Sequence, residues 1–186
     1  GEKHFSITQI DEEMKERTIL INGMSKTFAM TGWRIGYSIS SKQIAKMIGN
    51  YQSHATSNPN TIAQYATIAA LENENTDFEM MINEFDRRRK YMVETVNNID
   101  GLSVQTPKGA FYAMVSIKNI IGKKFNGRVI NGSMDFAEIL LEETMTAVVP
   151  GNAFGIDDHI RLSYATSMEN IEKGLDRIKK FAEGLE

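Results

Sequence analysis

The chain has 186 residues, 41% of them hydrophobic, which is enough apolar material for one domain or two small ones. A net charge of −3 argues against a general nucleic-acid binder, and the lack of cysteine excludes a disulfide framework, thiolate chemistry and a thiolate metal site. The lack of cysteine fits a reducing cytosol. No apolar run approaches the roughly 20 residues that a membrane helix needs, and nothing at Gly1 reads as a signal peptide.

In chain order, residues 5–17 form an acidic segment. Thr8 with Asp11 three residues on marks a helix start, and Ile10, Met14 and Arg17 share one face. Residues 19–21 are apolar and β-branched at two positions, so they predict a buried strand, which stops at the turn signal Asn22-Gly23. Lys26 follows with Ser25 beside it, then Arg34 between Gly32 and Gly36, then a second short apolar run at 35–39. The loop therefore presents one lysine and one arginine between two strands of a sheet core. Chains seldom place two cations there unless an anion or a carbonyl carbon needs them.

Apolar residues at 44, 47, 48 and 51 follow a helical period, with Ser41 as a natural N-cap. Ser57-Asn58-Pro59-Asn60 breaks the chain before an alanine-rich helix at 61–71. Residues 77–98 give the longest helix, with Phe78, Ile82, Phe85, Met92 and Val96 on one stripe and Arg89 at the position that continues it. The charges of Asp86-Arg-Arg-Arg-Lys90 fan around the axis at about 100° per residue, so they make no single basic face. Arg89 belongs either to a solvated helix or to a buried pair with a carboxylate between two subdomains.

Strands are expected at 102–104 and 111–115 on either side of Pro107-Lys-Gly109, and a polar loop over 118–132. Ser133 is expected to cap a helix through Glu143 whose core face is Phe136, Ile139 and Leu140. A short strand at 146–149 ends in Pro150-Gly151. Residues 159–164 alternate strictly, with Ile160 and Leu162 facing one way and His159, Arg161 and Ser163 the other. Thr166 with Glu169 makes a capping box for a last helix carrying Ile171, Leu175, Ile178 and Ala182. The long helix is the expected seam. Two strands before it cannot make a stable sheet alone, so the first part reads as the tail of a larger domain.

Several chemistries are absent. There is no phosphate-binding P-loop, no dinucleotide fingerprint and no nucleophile elbow, and His4, His54 and His159 lack metal-ligand spacing, so no metal is expected. A lysine and two arginines in sheet contexts remain. Such a lysine can form a Schiff base with an aldehyde. A glycine-flanked arginine can bind a phosphate through two parallel hydrogen bonds, and Arg161 can hold a carboxylate the same way. Together these describe pyridoxal phosphate acting on an amino acid. The bland alternatives are a surface lysine for Lys26 and a structural ion pair on an edge strand for Arg161.

Asn22-Gly-Met-Ser-Lys26 followed by Ala29-Met-Thr-Gly-Trp-Arg34-Ile-Gly-Tyr37 resembles the cofactor-attachment motif of class I, fold-type-I pyridoxal-phosphate aminotransferases, closest to the bacterial aspartate branch. His54-Ala-Thr-Ser-Asn-Pro-Asn60, Pro107-Lys-Gly-Ala-Phe-Tyr112, Val149-Pro-Gly-Asn-Ala-Phe-Gly155 and Ile160-Arg-Leu-Ser-Tyr164 resemble the same family in the same order. The resemblance implies an α/β fold: the end of a fold-type-I large cofactor-binding domain over 1–85, followed by a small α+β C-terminal domain over 86–186. It implies that Lys26 is the Schiff-base lysine and catalytic base, that Ser25 and Arg34 bind the cofactor phosphate, that Ser57 approaches the cofactor of a partner subunit, and that Arg161 clamps the substrate carboxylate. The implied reaction moves an amino group, from aspartate by its branch, to 2-oxoglutarate in a cytoplasmic homodimer. No membrane or nucleic-acid partner is implied.

The same resemblance implies that the chain is the C-terminal half of such an enzyme and is inactive alone. The other half would carry the aspartate at the pyridine nitrogen. Animal-type aspartate enzymes place a side-chain-binding arginine just before Ser-Asn-Pro, where this chain has Tyr51-Gln-Ser-His54. Other readings are a different aminotransferase specificity, a C–S lyase, or the aminotransferase-like domain of a transcription regulator.

Overall fold

The computed structural model describes residues 3–72 and 76–186, so the reading of Gly1 lies outside the described residues. The chain divides into two compact units, Gly1–Phe78 and Glu79–Glu186.

The first unit opens on a 3-10 turn, Ile7–Gln9, and a short helix α1, Glu12–Glu16. Two caps replace the single start expected at Thr8. The Ser6 hydroxyl accepts from the Thr8 N–H, and the Asp11 carboxylate accepts from the Met14 N–H at 2.7 Å. Strand β1, Leu20–Gly23, leads into a four-residue helix α2, Met24–Thr27, then a 3-10 turn, Thr31–Trp33, and strand β2, Gly36–Ile39. The strands pair antiparallel with Asn22 opposite Tyr37 and Gly23 opposite Gly36. Helices α3, Lys42–Ala55, and α4, Thr61–Glu72, complete the unit. Ser41 is the N-cap residue of α3, but its side chain makes no capping bond.

The expectation of a buried strand at 19–21 is corrected. Neither β1 nor β2 contains a buried residue, and Ile21 and Ile39 are 81% and 60% exposed. Apolar β-branched residues favour a pleated strand, but burial needs a second layer to pack on them. The buried hydrophobic residues described in this unit are Met24, Met30 and Ala63.

The second unit holds most of the long helix α5, Thr76–Asn97. Strands β3 (Ser103–Val104), β4 (Tyr112–Ser116), β7 (Val149–Pro150) and β8 (His159–Ser163) form an antiparallel sheet in the order β3-β4-β8-β7. Helices α6, Ser133–Thr144, and α7, Met168–Glu183, complete the unit. One sheet face carries Ala113, Val115, Ile160 and Leu162 into a core shared with Met92, Val96, Phe136, Leu140, Ile171 and Leu175. The alternation expected at 159–164 is thus what buries one face. Each of the larger of these side chains contributes about 1.5–3 kcal/mol.

Several local readings shift. The Ser167 hydroxyl, not that of Thr166, caps α7 by accepting from the Asn170 N–H. Gly132 is the N-cap of α6, and Ser133 is its first residue. The stretch 118–132, expected to be loop, contains a hairpin of β5 (Lys124–Phe125) and β6 (Arg128–Val129). Its two-residue turn is Asn126-Gly127, both at positive φ (48° and 80°), the dipeptide that tolerates a tight turn of this hand. Arg89 is half-buried and bonds the Asp86 carboxylate at 2.7 Å and the Pro107 carbonyl at 3.1 Å, so its carboxylate partner lies on its own helix.

Candidate active site

The loop between β1 and β2 is closed at its base by a glycine pair. A Cβ on Gly36 would sit 2.9 Å from the Asn22 carbonyl oxygen, so only glycine lets the strands approach there. The Met24 N–H donates to the Ile35 carbonyl at 3.3 Å, which ties the two ends of the loop together. Asn22 adds a second tie, from its side-chain amide to the Tyr37 hydroxyl at 3.3 Å.

Within that loop Met24, 1% exposed, anchors α2, and the following residues Ser25 and Lys26 are half-buried and exposed. Arg34 is exposed and holds a left-handed backbone (φ 51°), with Nη1 donating to the Thr31 carbonyl at 2.8 Å. Ala29 is left-handed as well (φ 54°). Two non-glycine residues in that region within one loop mark a backbone held by its surroundings rather than by its own preference. The loop therefore carries a primary amine, a hydroxyl and a guanidinium. That donor set fits a phosphorylated aldehyde, with the cation and hydroxyl for the phosphate and the amine for the carbonyl carbon. Lys26 and Arg34 do not stand beside a core, however. They stand on the rim of an open two-stranded sheet.

An open depression of about 630 Å³ in the same unit is lined by Ala29, Gly32, Trp33, Arg34, Asn60 and Ile62. The structure thereby brings the end of the Ser-Asn-Pro-Asn stretch to Arg34, through Asn60 rather than Ser57. Asn60 also caps α4, its side-chain oxygen accepting from the Ala63 N–H at 3.2 Å. Ser57 is exposed, has φ 64°, and makes no side-chain hydrogen bond among the described residues.

Arg161 lies in the second unit on β8, a strand with neighbours on both sides, so it is not on an edge. Its partners in register are Met114 on β4 and Val149 on β7. The guanidinium carbon lies 4.2 Å from the Tyr112 ring centroid and 4.6 Å from that of Phe154. Among the described residues no carboxylate pairs with it. The ion pair expected of a structural arginine is therefore missing, and the group is half-buried with apolar and aromatic neighbours. Two residues along the same face, His159 Nδ1 lies 2.7 Å from an Asp158 oxygen, and that contact holds the Asp158 carboxyl below its usual range. Sequence reasoning assigned no role to Tyr112 or Phe154. The alternation of β4 placed Tyr112 on the open face, but no local pattern announces Phe154.

Among the described residues no group of His, Cys, Asp or Glu is arranged to hold a metal ion, and no helix is long and apolar enough to cross a membrane.

The units together have the α/β fold of the C-terminal part of fold-type-I aminotransferases. The crystal structure of the aspartate aminotransferase from Rhizobium meliloti matches with a TM-score of 0.96 and 38% identity, over 100% of this chain and 47% of that one. The aromatic aminotransferase from Pyrococcus horikoshii OT3 matches with a TM-score of 0.87 and 39% identity, over 98% of this chain and 47% of that one. Residues 1–178 match the family model for aminotransferase class I and II, and the chain belongs to that family. It is 42% identical over 183 residues to the aspartate aminotransferase of Bacillus subtilis (strain 168), covering 98% of this chain and 46% of that protein. The chain spans about half the length of the curated relatives it matches.

Proposed function

We propose that this chain supplies the lysine and the carboxylate-binding arginine of a pyridoxal-phosphate-dependent aminotransferase, which moves an amino group from an amino acid, aspartate first among them, to 2-oxoglutarate. The observation that carries this reading is the closed loop with Ser25, Lys26 and Arg34. It is joined by family membership and by an arginine, Arg161, that has no carboxylate partner among the described residues. The cofactor, when bound, supplies an electron sink for negative charge at the substrate Cα.

This chain's residues do the rest. Lys26 Nζ would hold the cofactor by its aldehyde and, once freed by the substrate amine, would carry the proton taken from the substrate Cα to the cofactor carbon. Arg34 keeps Nη1 on the Thr31 carbonyl and turns its remaining N–H groups to the phosphate, with the Ser25 hydroxyl as a further donor. Ser57, exposed on the break between α3 and α4, offers its hydroxyl to the cofactor of a partner subunit in a homodimer. Arg161 binds the substrate carboxylate and so fixes the direction of the Cα–H bond. In this reading residues 1–85 belong to the large cofactor-binding domain and 86–186 form the small domain, in a cytoplasmic enzyme.

Aspartate leads because the Bacillus and Rhizobium relatives bear that name. The Pyrococcus relative is named for aromatic substrates, which makes an aromatic amino acid the second reading. The test is borohydride reduction of the full-length protein with pyridoxal phosphate, followed by peptide mass spectrometry. A label on Lys26 that is lost in Lys26→Ala is expected, and a label elsewhere, or none, sinks the assignment. A panel of amino donors against 2-oxoglutarate then ranks aspartate against the aromatic amino acids.

A further inference from the structure

Arg161 is held in an unusual way. Its guanidinium carbon lies over two rings, 4.2 Å from the centroid of Tyr112 and 4.6 Å from that of Phe154, while its cross-strand neighbours are Met114 and Val149. Ring stacking uses the faces of the group and leaves its N–H donors in the plane. Those donors are the ones a carboxylate accepts from when both its oxygens are engaged.

Each ring is itself fixed by rigid parts. Tyr112 opens β4, opposite Ser163, and the start of that strand is tied by the buried Tyr164, whose hydroxyl donates to the Ala110 carbonyl at 2.9 Å and whose N–H donates to the Phe111 carbonyl at 3.0 Å. Phe154 ends a 3-10 turn, Gly151–Phe154, whose first residue is tightly enclosed. A Cβ on Gly151 would meet the carbonyl oxygens of Ile156 and His159 at 2.2 and 2.3 Å. The Asn152 N–H donates to the Ser133 hydroxyl at 3.1 Å, and that buried hydroxyl donates to Asp157 at 2.7 Å. The turn is thus pinned to the start of α6.

We propose that Tyr112 and Phe154 are positioning residues that hold the Arg161 guanidinium against their rings, with its N–H edge as a ready fork for a substrate α-carboxylate. The proposal rests on the reading of Arg161 as the carboxylate-binding residue. A long arginine side chain loses rotamer freedom when it orders around a ligand. Rings that hold it beforehand remove that loss, so they act on amino-acid binding and not on the chemistry at Lys26.

The experiment compares two donors in the full-length holoenzyme, aspartate and β-alanine, which is aspartate without its α-carboxylate. If the donor panel favours another amino acid, that acid and its matching amine replace them. Tyr112→Ala and Phe154→Ala are each expected to raise KM for the amino acid about tenfold, with kcat changed by less than about twofold. Both should leave kcat/KM for the amine unchanged, and Tyr112→Phe should restore the original KM because the ring, not the hydroxyl, does the holding. Phe154→Leu, at a partly exposed position, keeps the test available if an alanine variant fails to fold.

Equal losses with both donors would mean a merely structural role and would overturn the proposal. An Arg161→Lys variant separates the two layers. If it erases the preference for the amino acid while Tyr112→Ala and Phe154→Leu preserve it, the positioning role is wrong and the carboxylate reading stands. If Arg161→Lys itself leaves the preference intact, both fall.

Discussion

The two units have comparable apolar fractions, 30 of 78 residues against 47 of 108, and use them differently. In Glu79–Glu186 one face of a four-stranded sheet and the stripes of α5, α6 and α7 close on each other, and Val115, Ile160 and Phe136 are 0% exposed. In Gly1–Phe78 the strands and helices show Ile21, Tyr51, Ile62 and Tyr65 to solvent, each at least 70% exposed. The difference lies in the number of layers. A sheet of four strands backed by helices can bury a face, while two strands cannot. The cations differ in the same way. Arg161 is seated against two rings on a finished sheet, while Lys26 and Arg34 stand on a loop held only at its base. The surroundings of Arg161 are therefore built within the second unit, while Lys26 and Arg34 are displayed by the first but not enclosed.

The sharpest test of that contrast is chemical. Lys26→Ala in the full-length enzyme should lower turnover by about 10⁴-fold or more, because covalent attachment and proton transfer are lost together. Thermal unfolding of the cofactor-free protein should barely change, since Lys26 is an exposed residue of a four-residue helix. Activity assay and calorimetry on one preparation check both halves.

Next in size is packing. Phe136→Ala should destabilise the second unit by about 3–5 kcal/mol, through lost burial and the cavity left behind. Ile21→Ala, at a site 81% exposed, should change the stability of the 186-residue chain by less than about 0.5 kcal/mol. Urea denaturation of the two variants decides it. Equal effects would break the contrast between a self-sufficient unit and an open one.

A smaller effect, of opposite sign, is expected at the end of α6. Met145 caps that helix in a left-handed conformation, φ 55°, which costs a residue with a Cβ about 1–2 kcal/mol. Met145→Gly should raise the stability of the second unit by about 1 kcal/mol, seen as an upward shift in its melting temperature.

The smallest effect concerns pH. Hydrogen bonds from Arg87 and Arg88 hold the Glu84 carboxyl down to about 2, and those from Lys90 and Arg89 hold Asp86 down to about 2. Both folded values lie below the unfolded ones of 4.5 and 3.8, so the stabilisation is present above about pH 5 and is lost as pH falls towards 2. The melting temperature should fall across that window, and Glu84→Gln with Asp86→Asn should flatten the fall. These pairs are largely solvated, so the slope is shallow.

The sequence alone determined the elements with strong periodicity. The alternation at 159–164 and the stripes of the last two helices are local patterns that one buried face dictates, and they are found where expected. It also raised the chemistry proposed for Lys26, Arg34 and Arg161, which sit in short motifs that resemble those of the family. The β5–β6 hairpin was legible in Asn126-Gly127 and was missed among polar neighbours. Burial was not legible. Residues 19–21 read as a core strand because propensity is a property of the chain, while burial is a property of what lies across from it. Nor was the seat of Arg161, since Tyr112, Phe154 and Arg161 meet only through the register of β4 with β8 and a turn pinned by Ser133 and Asp157. Contacts between residues distant in sequence depend on loop paths and strand order, and those are decided only when the whole sheet is assembled.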